Sequence, residues 1–246
     1  MKPYLSVIIP VYNEAKRIPL TLVDVDKRLR EAEYSSEIIV VDGGSRDSTV
    51  PIVKRFVKFV PNLRLIEIRE NYGKGYVVRR GMLEAKGSFR LFMDADNSTT
   101  IDQFNNMLPF FKEGYEVVIG SRDIKGAKLM PPQPWYKRWL GDLGNILIQI
   151  VLFEFLRGIW DTQCGFKCFS EEAAQKIFRL SRLNRWGFDF EILALAKKMG
   201  YKIKEIPVTW INDVNSKVGL GGYFSTLRDL ARVRWNFWRN KYNFDS

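Results

Sequence analysis

The chain has 246 residues, with 39 Lys and Arg against 28 Asp and Glu for a formal charge of +11, and it is 46% hydrophobic and 27% charged. This is a globular profile with enough apolar residues to close a full core, and its excess of cations favours an anionic partner: nucleic acid, acidic lipid headgroups or phosphorylated small molecules. With no His and only Cys164 and Cys168 as cysteines, a tetrahedral zinc site and every Ser-His or Cys-His dyad are excluded, so catalysis must use carboxylates, Lys, Arg, Tyr, backbone dipoles or a hard metal ion held by oxygens.

In chain order, Leu5–Val11 reads as a buried strand flowing directly from the N-terminus, not as a signal peptide. Further strands are expected at Glu37–Val41, Arg64–Ile68, Phe89–Met93 and Glu116–Ile119. Helical patterns lie between them at Ala15–Glu31, Asp47–Val60, Gly75–Ala85 and Ile101–Phe111. Ser45 or Asp47 is placed to cap the second of these. Alternating β and α units predict an α/β fold with a mostly parallel, doubly wound sheet and ligands at the carboxyl ends of its strands.

Beyond residue 120 the pattern changes. A Pro-rich loop, Lys128–Pro134, leads to a long aromatic helical stretch, Trp135–Trp160. A strand at Gly165–Phe169, helices at Glu171–Leu180 and Phe188–Met199, a strand at Lys202–Thr209 and a last helix at Tyr223–Tyr242 follow. The expected organisation is one domain over 1–246, in two halves that divide at residue 120. No apolar run reaches the roughly 20 residues that cross a bilayer; the longest, Ile146–Leu156, is broken by Gln149 and Glu154.

The sharpest chemical signal is Asp94-Ala95-Asp96 directly after a strand. Two carboxylates at that spacing can hold Mg2+ or Mn2+ through oxygens while the ion grips a diphosphate. Three other segments end neighbouring strands on the same rim: Pro10-Val11-Tyr12-Asn13-Glu14, Val41-Asp42-Gly43-Gly44-Ser45, and Asn71-Tyr72-Gly73-Lys74-Gly75. Each alone reads equally as a turn. Together they converge on one crevice.

In this order the segments P-V-Y-N-E, V-V-D-G-G-S-x-D-x-T, N-Y-G-K-G-x-x-V-R-x-G and D-A-D resemble the family-2 glycosyltransferases with the GT-A, or nucleotide-diphospho-sugar transferase, fold. The resemblance implies that Pro10, Tyr12, Glu14 and Asp42 frame the nucleoside, that Lys74 sits near the nucleotide, and that Asp94 and Asp96 bind metal and diphosphate. Later segments are similar to the dolichyl-phosphate hexose synthases, with D-T-Q-C-G-F-K (which contains Gln163 and Lys167) and R-W-x-F-D-x-E pointing to the glucosyl branch. The implied reaction is inverting transfer of a hexose from a nucleotide-sugar donor to a polyprenyl phosphate, by a protein peripheral on the cytoplasmic face of a membrane.

A phosphate monoester acceptor, with its second pKa near 6, needs positioning rather than a base, and Arg122, Ser216 and Lys217 are the expected holders. A hydroxyl acceptor would call on Asp189 or Glu191, which helical phase puts on different faces. Asp96, Asp189 and Arg122 are the catalytic candidates. Arg122 and Lys167 read as anion clamps or as plain solvated charges, and the two cysteines as buried inert thiols or a redox pair. Basic and aromatic residues interleave in Trp135–Trp160 and Tyr223–Tyr242, which suits an anionic bilayer surface, core packing or a dimer contact. A nucleic-acid partner is excluded by the nucleotide-sugar rim. A sugar nucleotidyltransferase would carry a Gly-rich, Arg-containing loop after the first strand, which Pro10–Glu14 is not.

Overall fold

The computed structural model describes residues 2–131, 135–211 and 220–244, with side chains for all of these except 135–140, 142 and 220–224. The chain begins with β1 (Leu5–Val11), α1 (Ile18–Arg30), β2 (Ser36–Asp42), α2 (Thr49–Val57), β3 (Leu63–Glu67), α3 (Lys74–Glu84) and β4 (Phe89–Met93). A 3-10 turn (Ile101–Asn106), α4 (Leu108–Lys112), β5 (Val117–Ser121) and β6 (Lys128–Met130) follow. Next come α5 (Trp135–Val151), α6 (Phe153–Leu156), β7 (Phe166–Ser170), α7 (Glu171–Leu180), α8 (Phe188–Lys198), β8 (Ile203–Pro207), β9 (Thr209–Ile211) and α9 (Leu220–Trp238).

Among the described residues, seven strands form one sheet in the order β3-β2-β1-β4-β7-β5-β8, and β6 pairs with β9 in a small parallel ribbon. Only β7 runs against the others in the large sheet. The sheet draws strands from both halves of the chain. Its order reverses at β1, which lies between β2 and β4, and such a switch point opens a crevice at the strands' carboxyl ends.

Strand periodicity sorts the core onto two faces. Val7, Ile9, Ile38, Val40, Leu91 and Met93 pack with α1, α2 and the 3-10 turn. Ile8, Ile39, Val41 and Phe92 pack with α3, α7 and α8. Both faces are covered, which is why these strands read as continuous apolar runs.

Three expected elements differ in the structure. The Ile101–Phe111 helix is split at Met107, because Pro109 has no N–H for the Asn105 carbonyl and instead starts a new helix, where that loss is harmless. The Trp135–Trp160 helix breaks at Leu152 and ends before Gly158, whose φ of +82° leaves the helical region. The Lys202–Thr209 strand divides: β8 pairs with β5, while β9 turns to β6. The N-cap of α2 is Ser48, without a side-chain bond; the Ser45 hydroxyl goes instead to the Asn13 N–H, and Asp47 accepts from the N–H groups of Thr49 and Ala15.

Candidate active site

The rim begins where β1 ends. Pro10 is buried within β1 opposite Val41, and Tyr12 is exposed. Asn13 takes a positive φ of 54° and knits this turn to the next: its N–H donates to Ser45 Oγ at 2.8 Å, and its Oδ1 accepts the Arg46 N–H at 2.8 Å. Glu14 holds Arg17 through two bonds of 2.5 and 2.6 Å, and Arg17 Nη1 stands 3.9 Å from Asp96 Oδ2.

Asp42 closes β2 and is buried. Its Oδ2 accepts the N–H groups of Gly44 and Ser45, both at 3.0 Å, while Oδ1 is buried with no partner among the described residues. A buried acceptor without a donor is costly, and a ligand N–H or O–H would complete it. Gly44, at φ +79°, lies so close to the 69–71 backbone that a Cβ would meet Glu70 C at 3.1 Å.

Lys74 opens α3 and places its ammonium 2.5 Å from Asp94 Oδ1. Burial pushes this ammonium down, but the Asp94 and Asp189 carboxylates outweigh it and hold its pKa above the usual lysine value. Asp96 accepts the Ser98 N–H at 3.0 Å, and burial followed by the charge of Asp94 raises its pKa. The pair therefore carries like charge in a partly buried place, a setting that a divalent cation relieves.

Behind the pair lies the segment leading into β7. Arg122 grips Asp161 through Nε and Nη2 at 2.7 and 2.9 Å and adds its own N–H at 2.9 Å. Burial would raise the Asp161 carboxyl, but this guanidinium holds it below the usual carboxylate range. Glu205 accepts the N–H groups of Trp160 and Asp161 at 2.9 and 2.8 Å, fastening the segment to the sheet edge. Gln163 is exposed, and its N–H donates to Asp161 at 3.3 Å.

Lys167 departs from the anion-clamp expectation. It is 0% exposed, 2.5 Å from Asp189 Oδ1 and 2.6 Å from the Cys164 carbonyl, over the Phe92 ring. β7 alternation turns it onto the face that α8 covers, so it balances Asp189 rather than a ligand. Asp189 is buried, and desolvation raises its pKa despite Lys167 and Lys74. Glu191 faces elsewhere, accepting from Tyr242 Oη and the N–H groups of Arg182 and Leu183. Cys164 and Cys168 are both buried and free, and burial pushes the Cys164 thiol up to about 12. Ser216 and Lys217 lie outside the described residues.

Thus Asp42, Lys74, Asp94 and Asp96 share one rim, with Tyr12 and Glu14 on its β1 side. Sequence reasoning singled out neither Asp161 nor Gly165, though both stand in the D-T-Q-C-G-F-K run. It also passed over Arg17, whose spacing of three from Glu14 was a usable sign. Glu205 was given no role of its own.

The Glycosyl transferase family 2 description matches residues 6–178. A dolichyl-phosphate beta-glucosyltransferase of Dictyostelium discoideum is 36% identical, over 95% of this chain and 75% of its own length. The Saccharomyces cerevisiae protein of the same name is 35% identical, over 94% and 74%. Among solved structures, glucosyl-3-phosphoglycerate synthase from Mycobacterium tuberculosis, in complex with Mn2+, uridine diphosphate and glucosyl-3-phosphoglycerate, superposes with a TM-score of 0.67 at 18% identity, covering 95% of this chain and 80% of that one. This last likeness is one of fold.

Proposed function

The chain belongs to the family 2 glycosyltransferases, and from that membership we propose that it transfers a hexose, glucose from UDP-glucose, to a polyprenyl (dolichyl) phosphate. The observation that carries the site assignment is the convergence of Asp42, Lys74, Asp94 and Asp96 at the β1/β4 switch point. The first half of the chain binds the donor and the second half the acceptor, within one domain.

Asp94 and Asp96 are the residues that would hold Mg2+ or Mn2+. The fit rests on two carboxylates two residues apart in a partly buried place, where burial and the charge of Asp94 raise the Asp96 pKa; no cluster of three or more ligating side chains occurs among the described residues, so diphosphate and water oxygens would complete the shell. When bound, the ion supplies charge neutralisation for the departing nucleoside diphosphate. The buried Asp42 Oδ1 takes a nucleoside donor group, and Lys74 meets the diphosphate.

The acceptor phosphate attacks the anomeric carbon in line, and the nucleoside diphosphate leaves from the opposite face, inverting the configuration. A phosphate is already ionised at neutral pH, so no general base is required. That fits an Asp189 committed to Lys167. Arg122 orients the 161–165 segment through Asp161, and its Nη1, outside that fork, is available to the acceptor phosphate. Ser216 and Lys217 complete that subsite.

The membrane contact is assigned to α5, α6 and α9. Leu143, Ile146, Ile150 and Phe153 recur on one exposed face, Ile150 being 66% exposed. On α9, Trp238 is 68% exposed, and the Arg239 guanidinium lies 4.9 Å from the Trp235 ring centre and 5.5 Å from that of Trp238. Large aromatics beside basic groups suit a headgroup boundary, and among the described residues no helix is long and apolar enough to cross a membrane.

The test is transfer of radiolabelled sugar into organic solvent. Protein, Mg2+ or Mn2+ and a short polyprenyl phosphate are incubated with UDP-glucose, UDP-GlcNAc or GDP-mannose in parallel. Metal-dependent label from UDP-glucose, lost in Asp96→Ala, is the expected result. Steady donor hydrolysis without organic-phase label would rule out the lipid-phosphate acceptor.

A further inference from the structure

Asp94 has a cation of the chain itself already seated on it. Lys74 Nζ lies 2.5 Å from Asp94 Oδ1, and the exposed Trp186 ring is centred 5.6 Å from the same ammonium. The backbone carrying Lys74 is clamped from both sides. A Cβ on Gly73 would come within 2.5 Å of Asn184 O, and one on Gly75 within 2.6 Å of Leu183 O. The Tyr76 N–H also donates to Asn184 O at 3.1 Å. The stem of Lys74 therefore starts from a fixed point, and only its flexible four-carbon chain moves the charge.

A divalent ion approaching Asp94 meets that ammonium at contact range, where repulsion between cations is strong and poorly screened in a partly buried place. A diphosphate reverses the balance, because it offers the ammonium new acceptor oxygens and gives the ion further ligands.

We infer that Lys74 is a resident counter-cation of the metal site: it occupies Asp94 until the donor diphosphate draws it off, so that metal and donor bind as a coupled pair. The inference rests on the reading of Asp94 and Asp96 as metal ligands. Lys74 is in this respect a positioning residue, setting the order in which the site fills. By linkage, whatever the diphosphate does for metal affinity the metal does for diphosphate affinity.

The experiment is titration of the full chain with Mn2+, following free ion by electron paramagnetic resonance, with and without UDP. Lys74→Met is expected to bind Mn2+ alone roughly tenfold more tightly than the wild type, and the factor by which UDP tightens Mn2+ is expected to fall by the same order. Lys74→Gln, a second neutral variant, guards against a folding defect in the first, and Lys74→Arg is expected to keep the wild-type pattern. Asp94→Asn is expected to remove the tight Mn2+ binding. Mn2+ affinity that is unchanged or weaker in both neutral variants, with UDP-dependent Mn2+ binding intact in the wild type, overturns the inference alone. If the wild type shows no UDP-dependent Mn2+ binding, the metal-site reading falls, and the inference with it.

Discussion

A Cβ on Gly165 would lie 2.0 Å from Asp94 Oδ2, and the Gly165 carbonyl accepts the Asp94 N–H at 3.2 Å. The residue before β7 is thus a floor under the first carboxylate of the D-x-D pair. Gly165→Ala is expected to fold, since the displaced atoms belong to a side chain that can turn toward solvent, at a cost of about 1–3 kcal/mol. Its transfer rate is expected to drop by roughly a hundredfold, because a carboxylate moved by about 1 Å no longer meets its ligands. Near-wild-type kcat in this variant would show that Asp94 tolerates displacement.

The Lys167–Asp189 pair is buried on both sides. Lys167→Met leaves Asp189 without its counter-ion and is expected to destabilise the fold by about 3–5 kcal/mol in urea unfolding. Removing both charges with Lys167→Met and Asp189→Leu is expected to restore most of that loss. If the double variant is no more stable than the single one, the destabilisation comes from lost packing and not from an orphaned charge.

Arg122→Lys keeps the charge and loses the fork. A lysine cannot reproduce the paired Nε and Nη2 bonds to Asp161, and about 1.5–3 kcal/mol of stability is expected to go with them. Transfer is expected to slow about tenfold or more, since Asp161 anchors the segment that carries Gly165. Steady-state kinetics beside a urea melt measures both effects.

Glu37 ties the start of β2 to its neighbours, accepting from Ser6 Oγ at 2.6 Å, the Lys86 N–H at 2.7 Å and Arg64 Nε at 3.2 Å. Burial alone would raise its pKa, but these donors outweigh burial and hold it below the usual 4.5. A carboxylate depressed in the folded state adds stability above its unfolded pKa and loses it as pH falls through the folded one. Glu37→Gln is therefore expected to be less stable than wild type by about 1.5–3 kcal/mol near neutrality. The gap should narrow as both are acidified through and below the ordinary carboxylate range. Urea midpoints at about pH 7 and about pH 3 give the comparison, and a gap of constant size would mean that ionisation of Glu37 contributes nothing.

Much of the rim was legible because its residues leave strands directly. Asp42 closes one buried apolar strand and the Asp94–Asp96 pair follows another, while Lys74 opens the helix after β3, so a parallel sheet delivers them to one edge. Lys167 was misread for a related reason. A lysine between Phe166 and Cys168 looks like a polar face turned to water, yet α8 covers that face and brings Asp189 to meet it. Glu205 was given no role of its own, since its partners are backbone N–H groups more than forty residues away.

The strands, the order of the rim segments and the family resemblance were determined by the sequence itself, because periodicity and turn chemistry are local. The tertiary structure alone decided that β7 inserts antiparallel between β4 and β5. That single pairing sets Gly165 beneath Asp94, buries Lys167 against Asp189 and brings Asp161 to Arg122. Alternation along a strand specifies which residues share a face, but not which strand lies alongside or what covers that face; these depend on contacts between residues far apart in the chain.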